Sequence, residues 1–335
     1  MGGAHGRRVT PRALLVPDCG QGVGLGHVER MLALADALVP HLAVSVLVPV
    51  GDAVLRGRVS DRGHDALEAA GDAAHRVESG LAEVQPLTVI VLDGYAFDVA
   101  LQHRLRRRAS LTVVDDLSLP ADCDLAVNPS PGGESMRPEG ADAFLGGAAF
   151  ALLRDAFAGA REQVIRRGRA KRTVLVSTGW TDMGGLAESV SADLLRTDHT
   201  VEVVVVVGPD TPGRDRPPRP RERVLIAPPN LAEFLAGATV YAGAAGTTAV
   251  QAACVGIPAV ITAAISNQAA QAAALAAAGC AVVTDVADIA SECLRLLDDA
   301  PLCDDMAARG RALVDGRGPA RVAQAVHRLA QVGTA

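Results

Sequence analysis

His27 sits where a side chain can do chemistry. It falls in GQGVGLGHVER, Gly20 to Arg30, directly behind a run that reads as a strand. Gly20, Gly22, Gly24 and Gly26 let the backbone turn tightly and approach a ligand. The helix predicted to follow aims free amides and its positive dipole end at the same place. The loop lacks the lysine of a phosphate-binding loop, and no acidic residue follows at dinucleotide-binding spacing. An imidazole at the helix start is suited to take a proton from an attacking hydroxyl or water. The plainer alternative is a histidine that caps or packs the helix entry. Glu29 and Arg30 read as solvent-facing or paired, with the solvent-facing reading favoured for Glu29.

A second segment, YAGAAGTTAVQAACVGIPAVI, spans Tyr241 to Ile261. Its strand ends in Gly243, Ala244, Ala245 and Gly246, and a helix opens at Thr247 and Thr248. That amino end, with two hydroxyls, suits a diphosphate. Gln251, one turn on, is placed to hydrogen-bond a ribose hydroxyl. The alternative is an ordinary capped helix packed through alanines. Asn267 and Gln268 open the next helix and offer donors and acceptors to sugar hydroxyls, while Asn267 also fits a simple N-cap.

VSTGWTDMGG, Val176 to Gly185, sets Gly179, Trp180 and Asp182 in a loop behind another strand. Trp180 is suited to stack on a base or sugar, or to plug the joint between domains; Asp182 reads as a helix cap. Asp115, Asp116, Asp122 and Asp124 lie in VVDDLSLPADCDLAVNPSP. Adjacent side chains on a strand diverge, so a metal site is set aside in favour of strand-end caps, with substrate holding or orientation of His27 as the functional alternative. Tyr95, Phe97 and Trp180 are expected at strand ends facing a cleft. That placement matters because the chain has one Trp, two Tyr and five Phe, leaving the core to Ala, Val, Leu and Ile.

The elements that must position these residues alternate. Continuous apolar runs at 13–17, 43–50, 87–93, 111–115 and 124–128 read as strands buried on both faces, with helices over 28–39 and from Asp98 to about Arg108. The second half repeats the pattern, with strands at 173–177, 201–207, 224–226, 239–242, 259–262 and 281–284. Helices fit 185–196, 231–236, 248–255, 268–278 and 288–297, with one or two more over 304–332. Pro209–Arg223 reads as a surface loop, and the polar stretch 153–168 as the boundary between two halves. A length of 335 residues predicts about two domains. These are an α/β Rossmann-like layer over 1–155, a second over 156–315, and a closing helix over 316–335, with a site in the cleft between the layers. A net charge of −6 argues against a broad nucleic-acid surface. No apolar run reaches a membrane span, and the six cysteines form no C-x-x-C pair. The expectation is a soluble, cytoplasmic protein with free, mostly buried thiols.

GLGHVERMLALADAL resembles the opening motif of the nucleotide-sugar hydrolase of pseudaminic acid biosynthesis and of related spore-coat polysaccharide proteins. VLDGYAF, VVDDL, GGAAFALLRDAF, VSTGWTD and AGAAGTTAVQAACVGIP followed by NQ occur in that family's order, over Gly20 to about Gly279. The second-domain motif is also similar to that of the glycosyltransferase that makes lipid II. The resemblance implies a GT-B fold of two Rossmann-like domains, a nucleotide-sugar donor held mainly by the second, and His27 acting near the acceptor, with neither metal nor separate cofactor. Gln251 departs from the family's usual Glu, and Trp180 from its Gly-Gly-x-Asp loop. The expected activity is transfer of a sugar from a nucleoside diphosphate to a small-molecule acceptor. Gly246, Thr247, Thr248 and Gln251 would then hold diphosphate and ribose. Gly24, Gly26, Tyr95, Asp116, Gly179, Trp180, Asp182, Asn267 and Gln268 would line the sugar and acceptor side. Hydrolysis, with water as acceptor, is the alternative; a binding protein with a decayed site at Gln251 is another.

Overall fold

Strands that are apolar at every position need cover on both faces, and here they receive it. A computed structural model describes residues 11–19, 25–167, 172–179, 185–209, 211–265 and 268–332. In chain order the first lobe runs β1 (Arg12–Pro17), α1 (Gly26–Leu38), β2 (Ala43–Pro49), α2 (Ala53–Ser60), β3 (Asp65–Ala69), α3 (Ala73–Glu83), β4 (Val89–Asp93), α4 (Val99–Arg106), β5 (Ser110–Val114), β6 (Cys123–Asn128) and β7 (Ala141–Gly146). After α5 (Asp155–Arg167) the second lobe runs β8 (Thr173–Ser177), α6 (Leu186–Thr197), β9 (Glu202–Val207), β10 (Glu222–Ile226), α7 (Leu231–Ala236), β11 (Val240–Ala244), α8 (Thr247–Val255), β12 (Ala259–Thr262), α9 (Ala269–Ala277), β13 (Ala281–Val283), α10 (Ile289–Asp298) and α11 (Ala300–Leu313). A last helix, α12 (Gly318–Val332), follows.

Among the described residues the strands form two parallel sheets. One has seven strands in the order β3-β2-β1-β4-β5-β6-β7, the other six in the order β10-β9-β8-β11-β12-β13. The order reverses between β1 and β4 in the first sheet and between β8 and β11 in the second. Ligands of open α/β sheets bind at such switch points, outside the carboxyl ends of the strands. Pairing of Pro17 with Asp93, and of Ser177 with Gly243, brings the two strand ends level at each switch point.

Helices cover both faces of each sheet. Val28, Met31, Leu34 and Leu38 of α1 pack beneath β1 and β2, together with Val322, Ala323, Val326 and Ala330 of α12. The last helix thus returns to the first lobe's core. The stretch read as a polar boundary folds as α5, burying Phe157 and Ala160 in the second lobe's core beside α7 and α8. Asp155, Glu162 and Arg166 are exposed, while Arg161 turns in to donate to the Arg311 and Val314 carbonyl oxygens at 2.7 and 3.2 Å. Two edge strands, β3 and β7, join those expected from sequence; both are half covered and interrupted by Asp or Glu. Asp52, Asp72 and Asp98 cap α2, α3 and α4, accepting the amides of Leu55, His75 and Leu101 at 3.0, 2.8 and 2.7 Å. Phe97, expected at the cleft, is buried at 5% exposure and packs with Leu101 and Leu105. All six cysteines are free and buried. No described helix is long and apolar enough to cross a membrane.

Candidate active site

α1 begins at Gly26, and its N-cap residue Leu25 makes no side-chain hydrogen bond to the first turn. His27 stands in that first turn, and β4 ends beside it at Asp93. The Asp93 carboxylate is fully buried and lies 2.8 Å from His27 Nδ1. Arg30, one turn along α1, reaches the same carboxylate twice, Nε to Oδ2 at 3.0 Å and NH2 to Oδ1 at 2.6 Å. Its third nitrogen donates to Asp116 Oδ2 at 2.9 Å. The Tyr95 hydroxyl donates to the other Asp116 oxygen in a short bond. The Tyr95 and His27 rings meet edge to face, with centroids 5.3 Å apart. Burial works against the charge on Asp116, but Arg30 and the Tyr95 hydroxyl outweigh it and hold the carboxyl below its usual range. Burial also opposes the Arg30 charge, and Asp93 and Asp116 overcome it.

Asp93 is the acceptor that an Nδ1–H on His27 would meet, the tautomer that leaves Nε2 free to act as a general base, and Arg30 Nη2 lies 2.8 Å from the same Nδ1. His27 lines a cavity of about 510 Å³ between the lobes, as do Gly26, Arg30, Tyr95 and Asp116. Asp115, the neighbour of Asp116, turns the other way. Its oxygens accept the amides of Leu117 and Leu119 at 2.8 and 2.6 Å, so the adjacent pair does diverge. Burial pushes the Asp115 carboxyl up, against the pull of those amides.

The second lobe supplies the opposite wall. β11 ends at Gly243 and Ala244, where a β carbon on Gly243 would overlap the Ser177 carbonyl oxygen. Gly243 has φ +154°, so the close approach of β11 to its neighbour β8 at this point is open to glycine alone. The buried Tyr241 hydroxyl ties the two strand ends together, within 2.8 Å of Ser177 O and 3.0 Å of Ala244 O. It also accepts a bond from Thr248. α8 then starts at Thr247, and its N-cap Gly246 offers no side chain to the first amides. Gln271 of α9 holds the preceding turn, its Nε2 donating to Ala245 O at 2.6 Å and Gly246 O at 3.0 Å. Gln268 Oε1 accepts the Ala264 amide at 3.0 Å.

Gly179, Gly246, Thr247, Thr248, Gln251 and Gln268 all line the same cavity as His27. The two open helix ends come close: a β carbon at Gly26 would lie 3.5 Å from Thr247 Oγ1. Gln251 Oε1 is buried with no hydrogen-bond partner among the described residues. Gly24, Trp180, Asp182 and Asn267 lie outside the described residues. Asp93 was not singled out from the sequence, where orientation of His27 was only an alternative role for the segment holding Asp115, Asp116, Asp122 and Asp124. The signal was the position of Asp93 as the last residue of the strand in VLDGYAF. Gln271 was missed as well, since a glutamine inside an alanine-rich helix looks like solvent-facing decoration.

No family model matches the chain, and no curated protein does. Solved structures do match it along nearly its whole length. The glycosyltransferase of kitacinnamycin aligns with a TM-score of 0.70 at 16% identity, covering 96% of this chain and 98% of that one. SsfS6 from Streptomyces sp. SF2575, solved with thymidine diphosphate, aligns at 0.64 and 16%, covering 96% and 100%. MurG of Acinetobacter baumannii aligns at 0.63 and 14%, also covering 96% and 100%. Two parallel Rossmann-like sheets facing one cavity, in an arrangement shared with these enzymes, give this chain the GT-B fold.

Proposed function

We propose that the chain is a glycosyltransferase that moves a sugar from a nucleoside diphosphate to the hydroxyl or amine of a small-molecule acceptor. One observation carries the proposal: His27, anchored through Nδ1 by Asp93, shares a cavity with the uncapped amino end of α8. A base on one wall and an anion site on the other are what such a displacement needs. His27 Nε2 takes the acceptor's proton as its oxygen or nitrogen bonds to the anomeric carbon. The bond from that carbon to the diphosphate breaks, and the departing charge falls on the first amides of α8 and the Thr247 hydroxyl. Gln251 takes a ribose hydroxyl on its open Oε1, and Gln268 faces the sugar. The first lobe serves the acceptor and the second the donor.

The test is incubation with a panel of uridine- and thymidine-diphosphate sugars, with and without candidate acceptors, following nucleotide and glycoside together. Nucleotide release that requires acceptor and matches glycoside formed is the expected result. Release without acceptor would make water the acceptor and the chain a hydrolase. Nucleotide binding with no release under any condition would contradict catalysis.

A further inference from the structure

The charged side chains lining the cavity fall, among the described residues, into two groups of opposite sign. Beside His27 one guanidinium, Arg30, stands between two carboxylates, Asp93 and Asp116. In the other group one carboxylate stands between two guanidiniums. Glu29 of α1 accepts Arg58 Nη1 of α2 at 2.8 Å and Nε of Arg154, the residue ahead of α5, at 3.1 Å. Asp36 neutralises the next cation, Arg62, at 2.9 Å, so it takes nothing from Glu29. One positive charge is therefore left over at this place, on side chains that are only 23% and 16% exposed. Burial, with the like charges of Arg62 and Arg58, outweighs Glu29 and Asp36 and holds the Arg154 pKa below an arginine's ordinary value. Nη1 and Nη2 of Arg154 share a single carbonyl oxygen, that of Pro229, at 3.4 Å each, the long end of the hydrogen-bond range.

A desolvated guanidinium with loosely held terminal nitrogens gains most from a planar anion, which takes two parallel N–H bonds at once. A single added negative charge would bring the group to neutrality. We propose that Arg58 and Arg154 bind a carboxylate of the acceptor, so that the substrate is a small carboxylic acid that also carries the reacting hydroxyl or amine. The proposal rests on the transfer reading, in which the first lobe serves the acceptor. Glu29 and Arg58 belong to that lobe, on α1 and α2, and Glu29 shares the opening turns of α1 with His27. The nucleotide wall, at α8, carries no charged side chain of its own among the residues lining the cavity. Leu152, Leu153 and Leu231 line the cavity too, apolar cover suited to a carbon skeleton, and the Phe157 ring lies 5.8 Å from the Arg154 guanidinium. Glu29 holds the two cations in place before the acceptor arrives, which reduces the ordering that binding must supply.

Benzoate and its uncharged counterpart benzamide are the probes, titrated into the full chain with and without uridine or thymidine diphosphate and followed by calorimetry. Benzoate is expected to bind about tenfold tighter than benzamide or better, the size of a hydrogen bond to a charged group. Arg58→Gln is expected to remove that advantage while nucleotide affinity stays within about threefold of wild type. Arg154→Gln should do the same; should it fail to fold, Arg58→Gln decides alone. In turnover assays with neutral sugar donors, hydroxybenzoates should be preferred to hydroxybenzamides by wild type and not by Arg58→Gln. Absent benzoate binding, equal binding of the two probes, or a benzoate advantage that survives Arg58→Gln overturns the proposal. A larger loss of nucleotide affinity in Arg58→Gln also overturns it, by giving the cations to the diphosphate. An Arg58-dependent preference for uridine-diphosphate glucuronate over the glucose donor would put the anion on the sugar and overturn its placement on the acceptor. Arg58-dependent benzoate binding in a protein that turns over no donor would leave the carboxylate site standing and remove only the transfer reaction.

Discussion

Replacing Asp93 by Asn should damage both the fold and the chemistry, and the sizes follow from three contacts. The carboxylate is fully buried and receives Arg30 Nε at 3.0 Å, Arg30 NH2 at 2.6 Å and His27 Nδ1 at 2.8 Å. Asparagine keeps the shape but offers one acceptor oxygen, and its amide nitrogen meets a donor. Removing one partner of a buried ion pair costs about 3–5 kcal/mol, because the remaining charge is left uncompensated. Arg30 retains Asp116 at 2.9 Å, so the lower end, about 3 kcal/mol, is expected. His27 also loses the partner that fixes its tautomer, and turnover should fall by about 10²–10⁴. His27→Ala separates the two effects: it leaves the Arg30 pairs intact and should cost only about 1 kcal/mol, one hydrogen bond. Denaturant unfolding gives the stabilities, and acceptor-dependent nucleotide release gives the activities. An Asp93→Asn protein as stable as His27→Ala, or within threefold of wild-type turnover, would refute the role given to this carboxylate.

Gln251→Met removes an unpartnered buried oxygen, so the free protein should be no less stable while nucleotide affinity drops about tenfold; thermal unfolding with and without nucleotide reads both. Gly243→Ala sets a β carbon against the Ser177 carbonyl oxygen at φ +154°, and should cost about 3 kcal/mol or more, seen as loss of folded yield or of the unfolding midpoint. Burial pushes the Cys19, Cys254 and Cys280 thiols up to about 11 and Cys123 to about 12. Native protein should therefore react with a thiol reagent at pH 8 far more slowly than protein unfolded in denaturant.

The two-lobed α/β architecture was legible because strands such as VIVLD in β4 and EVVVVV in β9 carry four or five apolar residues in a row. What escaped were elements whose burial is one-sided. In β3 (DALEA) and β7 (ADAFLG), acidic residues on the open side break the apolar run. α5 hid behind its own arginines, since only Phe157, Ala160 and a few others turn inward. On the site, the glycine-rich loop, His27 and the Thr247 helix start were visible because backbone access and a helix amino end leave local sequence marks. Asp93 left none. It neighbours His27 only because β4 lies next to β1, a crossover of strand order that no local spacing encodes. Phe97 was misplaced for a related reason: it follows a cleft-facing tyrosine by two residues but turns into the core under α4.

Acceptor-dependent nucleotide release by His27→Ala, measured beside its nucleotide affinity, tests the central claim most directly. The account predicts nucleotide binding within about threefold of wild type, since the α8 wall is untouched, and turnover reduced about 10²–10⁴-fold. Turnover undiminished by the substitution would contradict it.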